Sequence, residues 1–307
     1  MNEATIAVPI AGCTIGHWHD PDARTGCTVV LLPHATTGSG DIRGGSPATR
    51  EFALLDPVHR VAQLDAIVLS GGSAFGLDAV QGVMRFCEAN GRGFATAHGA
   101  VPIVVGMSLY DLGVGHSDIR PTAANGLRAA NAASPTPTIG RVGAGCGATV
   151  GKWRSPSDGD VPTTDERLSQ GGGLGIAVVD HDGTSVVAIV ATNAWGDIDT
   201  TGTADRIADG TFDGWPTPAA SAPAGTNTTI GAVVTNARLT KVECNLVAQS
   251  AHDGLARAVF PAHTGYDGDA FVAAATGERE ASVDHVRMMA TVATEQAIRM
   301  VGPATKA

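Results

Sequence analysis

Apolar runs and amphipathic stretches alternate along this chain from one end to the other. Short apolar runs bounded by Gly, Asp, Ser or Thr predict buried strands at 27–32, 65–71, 101–107, 173–180, 185–193, 230–236 and 269–275. Apolar or small residues at helical spacing predict helices within 71–91, 122–133, 242–258 and 286–300. Because strands and helices are mixed throughout, the pattern predicts a layered α/β fold, with two sheets between helices as one arrangement.

Two polar stretches interrupt this pattern in the second half of the chain. Residues 153–173 read WRSPSDGDVPTTDERLSQGGG, which predicts a surface loop or a lid. Residues 216–227 read PTPAASAPAGTN and have the composition of a linker. Between them, HDGT at 181–184 predicts a hairpin turn that joins two of the strands.

The composition indicates an aliphatic, closely packed core. The chain has 307 residues, of which 43% are hydrophobic and 4% aromatic, and 40 are glycine. That length allows one large domain or two modest ones, and no internal repeat divides it. The many glycines predict tight turns and close backbone approaches.

Charge and cysteine usage exclude several classes of protein. A net charge of −10 argues against a nucleic-acid partner, because phosphate binding needs clustered Lys and Arg. We expect no membrane association, because no apolar run approaches the roughly 18 residues that cross a bilayer. The start of the chain lacks a basic segment typical of a signal peptide. Five scattered cysteines predict reduced thiols and a cytoplasmic location.

Two glycine-rich motifs imitate well-known functional loops. GAGCGATVGKW departs from the phosphate-binding loop at two positions, because Cys146 replaces a required Gly and Trp153 follows the Lys. GGSAFG departs from the nucleophile elbow, because Phe75 stands where a Gly is needed. We therefore interpret Ser73 as the N-cap of the helix that follows.

The sequence HWHD offers His17, His19 and Asp20 as metal ligands. Its spacing fits no standard site, and no other ligand cluster accompanies it. A surface turn is the favoured interpretation.

The junction between linker and strand, PAGTNTTIGAVVTN, carries the most specific chemistry. In one interpretation, Asn-Thr-Thr is an ordinary turn that leads into the strand, because these residue types are common at turns and strand starts. In the other, the bond between Asn227 and Thr228 is cleaved and Thr228 becomes a new N-terminus. Its freed α-amine, with an ordinary pKa of about 7.7–8.0, would then act as the base for its own hydroxyl.

Segments along nearly the whole chain resemble one family. They are DPDARTGCTVVLLP, DIRGGSPATRE, AIVLSGGSAFGLDAVQGVMRF, VGAGCGATVGKW, TNAWGDID and NTTIGAVVTNARLTKVECNLVAQSAHDGLARAVFPAHTGYDGD. This set resembles the self-cleaving L-aminopeptidase/D-esterase family, which includes β-peptidyl aminopeptidases and the nylon-oligomer hydrolase. The resemblance implies a four-layer α/β/β/α sandwich, like N-terminal nucleophile hydrolases but with different connectivity. It also implies one domain, 1–307, cut into 1–227 and 228–307, and a homotetramer or larger assembly.

The resemblance also assigns roles to individual residues. Thr228 matches the nucleophile, and Asn193 matches an oxyanion-hole asparagine whose side-chain N–H can stabilise a tetrahedral oxyanion. Lys152 matches a lysine that lowers the pKa of the amine or stabilises developing charge. Without the family, Asn193 also fits a turn after a strand, and Lys152 fits a solvated surface residue.

Three further positions concern the substrate and the nucleophile. Tyr110 matches a substrate-side tyrosine, although it also fits a strand-end aromatic. Asp267 and Asp269 match residues that hold the hydroxyl and amine of the nucleophile, and residues two apart in an extended segment share a face. An ordinary Asp-Gly turn is the alternative. Ser108 stands where aminopeptidase members carry an acid for the free amine of the substrate, and Asp111 is expected to point away from Tyr110.

The sequence therefore predicts a self-processing threonine hydrolase of small amides or peptides, with no metal or organic cofactor. Two alternatives stay open. One is an acyltransferase that resembles the ornithine acetyltransferases, in which the acyl group passes to an amine instead of water. The other is an uncleaved, non-enzymatic binding protein on the same scaffold.

Overall fold

The computed structural model describes residues 4–153, 171–215 and 227–302. Most of the predicted loop at 153–173 and most of the predicted linker at 216–227 lie outside these ranges. The described strands are β1 (Ala4–Thr5), β2 (Thr14–Asp20), β3 (Thr25–Leu31), β4 (Thr37–Ile42), β5 (Ala48–Arg50), β6 (Ala66–Ser70), β7 (Phe94–Thr96), β8 (Gly99–Val101), β9 (Val104–Ser108), β10 (Thr138–Ile139), β11 (Gly173–His181), β12 (Thr184–Asn193), β13 (Asp197–Ile198), β14 (Thr228–Ala237), β15 (Val259–Phe260) and β16 (Ala270–Arg279). The described helices are α1 (Ala79–Ala89), α2 (Ala123–Asn131), α3 (Thr203–Ala208), α4 (Lys241–Ala258) and α5 (Val283–Met300).

Two five-stranded sheets form the centre of the fold. Sheet I has the strand order β11-β12-β14-β16-β4, and sheet II has the order β2-β3-β6-β9-β5. In sheet I only β14 and β16 run parallel, and in sheet II only β6 and β9 do. Each sheet therefore has its one parallel pair between the third and fourth strands of its order.

The two sheets pack face to face through a shared aliphatic core. Ile189, Ile230 and Val272 of sheet I meet Ile67 and Val105 of sheet II in one buried cluster. Alternate residues of the same strands point the other way, as the period-2 geometry of a strand requires. Each sheet is therefore apolar on both faces, which explains why its central strands read as continuous apolar runs.

Helices cover both outer faces. The outer face of sheet I, which includes Val233 and Phe271, packs against α4 and α5. The outer face of sheet II, which includes Val68, packs against α1 and α2. The predicted four-layer α/β/β/α sandwich is confirmed. None of the helices in the described ranges is both long and apolar enough to span a bilayer.

Two local predictions are wrong. Ser73 does not cap α1, because it has φ 54° and begins a 3-10 turn, Ser73–Asp78, that precedes the helix. His17 and His19 do not form a turn, because HWHD lies in β2, paired along its length with β3. Asp20 ends that strand, and its carboxylate accepts main-chain hydrogen bonds that close the turn to β3.

Candidate active site

The two pairings of β14 bring the predicted site residues together. Thr228 is the first residue of this central strand, and Asn193, the last residue of β12, lies directly opposite it. On the other side, Asn227 pairs in parallel register with Asp267, so Gly268 lies beside Thr228. Directly opposed residues have their side chains on the same face. Thr228 and Asn193 therefore both point into the space between the sheets.

The peptide group before Thr228 carries an unusual set of contacts. The Thr228 hydroxyl is hydrogen-bonded to the carbonyl oxygen of Asn227, the residue just before it. The Gly268 N–H donates to the same carbonyl oxygen at 2.9 Å. Thr228 is 3% exposed and Asn227 is fully buried, so both contacts lie away from water. A hydroxyl and a polarising N–H thus meet at the one peptide bond that the sequence predicts to be cut.

Gly268 has no room for a side chain. A Cβ there would lie 2.6 Å from the Ser46 carbonyl oxygen and 2.8 Å from the Thr228 hydroxyl oxygen. Glycine at this position lets the main chain just before β16 approach Thr228 closely enough for the Gly268 N–H to reach the Asn227 carbonyl. The sequence motif contains this glycine, but only the parallel register shows that it faces Thr228.

Asn193 is held by a network of three partners. Its side-chain oxygen accepts from the Thr149 N–H at 2.9 Å and from Lys152 Nζ at 2.8 Å. Its Nδ2 donates to the Tyr110 carbonyl oxygen at 2.8 Å. Because both donors face Oδ1, the side-chain NH₂ is turned away from them. Lys152 also donates to the Asn193 main-chain oxygen at 3.2 Å, which fixes this residue further.

Lys152 and Tyr110 therefore reach Asn193 in different ways. Lys152 comes close enough to bind its side chain, so the lysine positions the amide as well as carrying a charge. Tyr110 is half-buried and meets Asn193 through its main-chain oxygen. The role of the Tyr110 ring on the substrate side stays a prediction.

Asp267 is bound by Trp195 and Thr264, which lie around the site. Its Oδ1 accepts from the Trp195 N–H at 3.0 Å, and its Oδ2 accepts from the Thr264 hydroxyl at 2.5 Å. Burial, and then the charge of Asp269, raise the pKa of Asp267 to about 6. A carboxylate with that pKa can exchange a proton near neutral pH.

Asp269 lies on the helix side of sheet I. It has the same strand parity as Phe271, which packs in the cluster with α4 and α5. Its Oδ1 accepts from the Thr229 N–H at 2.7 Å, and its Oδ2 contacts His263. Asp269 thus holds the main chain just after Thr228. The expectation that both carboxylates meet one ammonium concerns the cut chain, and it stays a prediction.

Ser108 and Asp111 lie on either side of Tyr110, at and just after the end of β9. The Ser108 hydroxyl lies 3.0 Å from the Gly71 carbonyl oxygen and 2.5 Å from that of Ser73, which ties the end of β9 to the turn after β6. Asp111 is buried and accepts from the Gly72 N–H at 2.7 Å. Since β9 ends at Ser108, strand alternation does not set the direction of Asp111.

The buried Asp111 carboxylate makes stability depend on pH. Burial raises its pKa to about 6. The folded protein then holds this proton more tightly than the unfolded chain, so stability falls as pH rises from about 4 through 6. We expect Asp111→Asn, which can still accept from Gly72, to be more stable than wild type near pH 8 by up to about 3 kcal/mol.

Denaturant unfolding of both proteins at about pH 4 and about pH 8 measures this difference. Near pH 4 most of the difference should have disappeared, because the carboxyl is then protonated in the folded protein and about half protonated in the unfolded chain. A variant that is less stable than wild type at the higher pH would contradict the assignment.

Aromatic rings, which are rare in this chain, gather beside Asp267. Trp153 stacks on Phe212 at 5.5 Å between ring centroids and lies 6.4 Å from Trp195. Trp195 in turn packs on Tyr266 at 5.0 Å. The main-chain N–H of Trp195 also binds Asp267, so this aromatic cluster lies beside the site. Sequence reasoning did not identify it, although TNAWGD contained the signal.

Three other contributors were also missed. The Thr149 N–H, the Gly268 N–H and His263 all bind predicted site residues. The first two act through main-chain atoms, which a side-chain motif does not reveal. Among the described residues, no group of three or more His, Cys, Asp or Glu is arranged to hold a metal ion.

Comparison with known proteins places the chain in one family. The family described as Peptidase family S58 matches residues 8–307. An uncharacterised aminopeptidase of Mycobacterium leprae (strain TN) is 40% identical over 92% of this chain and 80% of its own length. A 6-aminohexanoate-oligomer endohydrolase of Agromyces sp. (strain KY5R) is 31% identical over 87% of this chain and 74% of its own length.

Solved structures show the same fold at low sequence identity. A β-aminopeptidase of Burkholderia sp. superposes with a TM-score of 0.66 at 22% identity, covering 96% of this chain and 84% of that one. The L-aminopeptidase D-Ala-esterase/amidase of Ochrobactrum anthropi superposes with a TM-score of 0.67 at 19% identity, covering 95% and 86%. The latter is described as a variant of the Ntn hydrolase fold.

Proposed function

This chain belongs to peptidase family S58 and is a hydrolase of amide bonds, and from that premise we propose that it cuts itself before Thr228 and then uses Thr228 as its nucleophile. The observation that carries the proposal is the meeting of the Thr228 hydroxyl and the Gly268 N–H at the Asn227 carbonyl. A nucleophile and an electrostatic stabiliser are the two groups that acyl transfer requires at a carbonyl.

Self-cleavage follows from this arrangement in two steps. The Thr228 oxygen attacks the Asn227 carbonyl carbon, and the Gly268 N–H stabilises the oxyanion that forms. The C–N bond then breaks, the proton of the hydroxyl passes to the leaving nitrogen, and an ester joins Asn227 to the Thr228 oxygen. Water hydrolyses this ester to a carboxylate on Asn227 and restores the hydroxyl.

The cut chain has both groups needed for hydrolysis of an external amide. The new α-amine of Thr228 takes the proton of its own hydroxyl as that oxygen attacks the substrate carbonyl. The amine product leaves with a proton, and water then hydrolyses the acyl-enzyme. Asn193 offers the oxyanion a second donor, because an amide NH₂ has two hydrogens and Tyr110 uses one. Lys152 fixes that amide and places a positive charge beside it.

The substrate class that the site supports is a small amide or peptide. The Ser108 hydroxyl is used within the fold, and the Asp111 carboxylate is buried against Gly72, so neither supplies an exposed acid for a free substrate amine. We therefore favour internal or uncharged amides over strict removal of N-terminal residues. The Agromyces relative is named an oligomer endohydrolase, which agrees with this preference.

The position of the cut explains why the two pieces would stay together. Residues 228–302 supply β14 and β16, whereas β12 and β4 on either side of them come from the first piece. Cutting before β14 leaves its ladder to β12 intact. We propose that 1–227 and 228–307 remain one domain after the cut. We further propose that this unit assembles as a homotetramer or larger and that it works in the cytoplasm.

Mass spectrometry of the mature protein is expected to find a chain that begins at Thr228 and another that ends at Asn227. A denaturing gel should show two bands, whereas size exclusion should show one species. An uncut chain that hydrolyses amides would overturn the self-cleavage proposal. An uncut, inactive chain would favour the binding-protein alternative. A cut chain that transfers its acyl group to an added amine faster than to water would favour the acyltransferase alternative.

A further inference from the structure

His263 makes two contacts with the Asp269 carboxylate, which lies next to the main chain of Thr228 and Thr229. The His263 main-chain N–H donates to Asp269 Oδ2 at 3.1 Å, and the ring Nδ1 lies 2.9 Å from the same oxygen. The other oxygen of Asp269 accepts from the Thr229 N–H at 2.7 Å. A continuous chain of hydrogen bonds therefore runs from the His263 ring to the peptide that follows Thr228.

The geometry fixes which atom of the ring carries a hydrogen. Both oxygens of Asp269 already accept main-chain N–H groups, so this carboxylate is the acceptor and Nδ1 of His263 is the donor. His263 also has φ 57°, in the left-handed region that residues with side chains seldom adopt. That turn of the main chain lets its N–H and its ring face the same oxygen.

The surroundings hold the ring in place without competing for Asp269. The ring of His252, from α4, packs edge-on against His263 at 4.8 Å between centroids. His252 donates from Nε2 to the Asp41 main-chain oxygen at 3.0 Å, and burial lowers its pKa to about 3, so it stays neutral at working pH. The charged groups on this side include Asp41, Arg43 and Asp253. Arg43 pairs with Asp41 at 2.9 Å and with Asp253 at 3.5 Å.

Asp269 also has a like charge nearby. After burial, the charge of Asp269 contributes to the raised pKa of Asp267, two residues away in the chain. Main-chain donors on both oxygens hold the Asp269 carboxylate in one orientation. The His263 Nδ1–H adds a side-chain donor to this carboxylate, which is 1% exposed.

We propose that His263 is a positioning residue for the Thr228 nucleophile. It holds Asp269 in the orientation that fixes the Thr228–Thr229 main chain during self-cleavage. After the cut, Asp269 in this orientation faces the new α-amine of Thr228. The inference rests on the proposed function, because it gives His263 a task only if Thr228 reacts. It goes beyond that function by adding a histidine, in contact with neither Thr228 nor substrate, to the catalytic apparatus.

Two replacements separate the hydrogen bond from the ring. His263→Ala removes the donor. His263→Asn keeps an N–H near the place of Nδ1, and asparagine also tolerates the left-handed backbone. His98→Ala, at an exposed turn residue between β7 and β8, is the matched control. Turnover is divided by the amount of chain that begins at Thr228, so a defect in self-cleavage is measured separately by mass spectrometry.

We expect His263→Ala to lower kcat about 10- to 100-fold while KM changes less than about threefold. His263→Asn should return kcat to within about fivefold of wild type, and His98→Ala should match wild type. Thermal unfolding checks that each variant is folded.

An unchanged kcat in folded His263→Ala, or an Asn variant as slow as the Ala variant at equal stability, would overturn the inference. Thr228→Ala in the same assay keeps the two claims apart. If that protein is still active the proposed function fails, whereas if it is inactive and His263→Ala is normal, only the positioning role fails.

Discussion

Replacing Thr228 with alanine is expected to abolish both self-cleavage and amide hydrolysis. The alanine protein has no hydroxyl at the Asn227 carbonyl, so neither the ester of self-cleavage nor the later acyl-enzyme can form. Thr228→Ser should keep part of each activity, because it retains the hydroxyl and loses only a methyl group. A denaturing gel follows the cut, and release of amine from a small amide substrate follows turnover.

Thr229 provides the control for this experiment. It is the next residue in the strand, so its side chain points to the helix side of sheet I while that of Thr228 points between the sheets. Thr229→Ala should still cut itself and hydrolyse amides. Full activity in Thr228→Ala, or a loss confined to Thr229→Ala, would reverse the assignment of the nucleophile.

The activity of the cut enzyme should rise with pH as the α-amine of Thr228 loses its proton. Asp269 and Asp267 favour the charged amine, whereas Lys152 disfavours it. Since these influences oppose each other, we predict that this titration exists and leave its midpoint to experiment. A pH–rate profile that is flat from about pH 5 to about pH 9 would contradict the amine as base.

Replacing Asn193 with alanine is expected to lower turnover by about 10²- to 10³-fold, the usual effect of removing one oxyanion donor. The same change should also destabilise the fold, because the Thr149 N–H and Lys152 Nζ lose their buried acceptor. A buried group left without a partner costs about 1–3 kcal/mol. Steady-state kinetics and denaturant unfolding measure the two effects separately.

Asn193→Asp distinguishes catalysis from stability at this position. Aspartate keeps an oxygen for Thr149 and Lys152 and replaces the donating NH₂ with an acceptor. We expect it to be at least as slow as the alanine variant, because it offers the oxyanion no N–H. It should be less stable than wild type, because its second oxygen faces the Tyr110 carbonyl oxygen. Unchanged turnover on an amide substrate in either variant would remove Asn193 from the site.

Much of the fold could be predicted because its main signals are local. The central strands are buried on both faces, so they appear as apolar runs, and the hairpin at 181–184 follows from its own turn residues. β4 escaped prediction because its residues are small and polar. This strand packs closely, since a Cβ at Gly38 would lie 2.3 Å from the Leu64 side chain.

The sequence alone determined the junction at Asn227–Thr228, the alternation of strands and helices, and the residues that resemble one family. Only the tertiary structure decided that Gly268 faces Thr228, that the Asn193 amide is turned by Lys152, and that Asp269 with His263 lies on the opposite side of the sheet. The reason is that strand periodicity and turn chemistry act over a few neighbouring residues. Partner, register and face are chosen between segments far apart in the chain, when packing brings the main chain of one strand against the side chains of another.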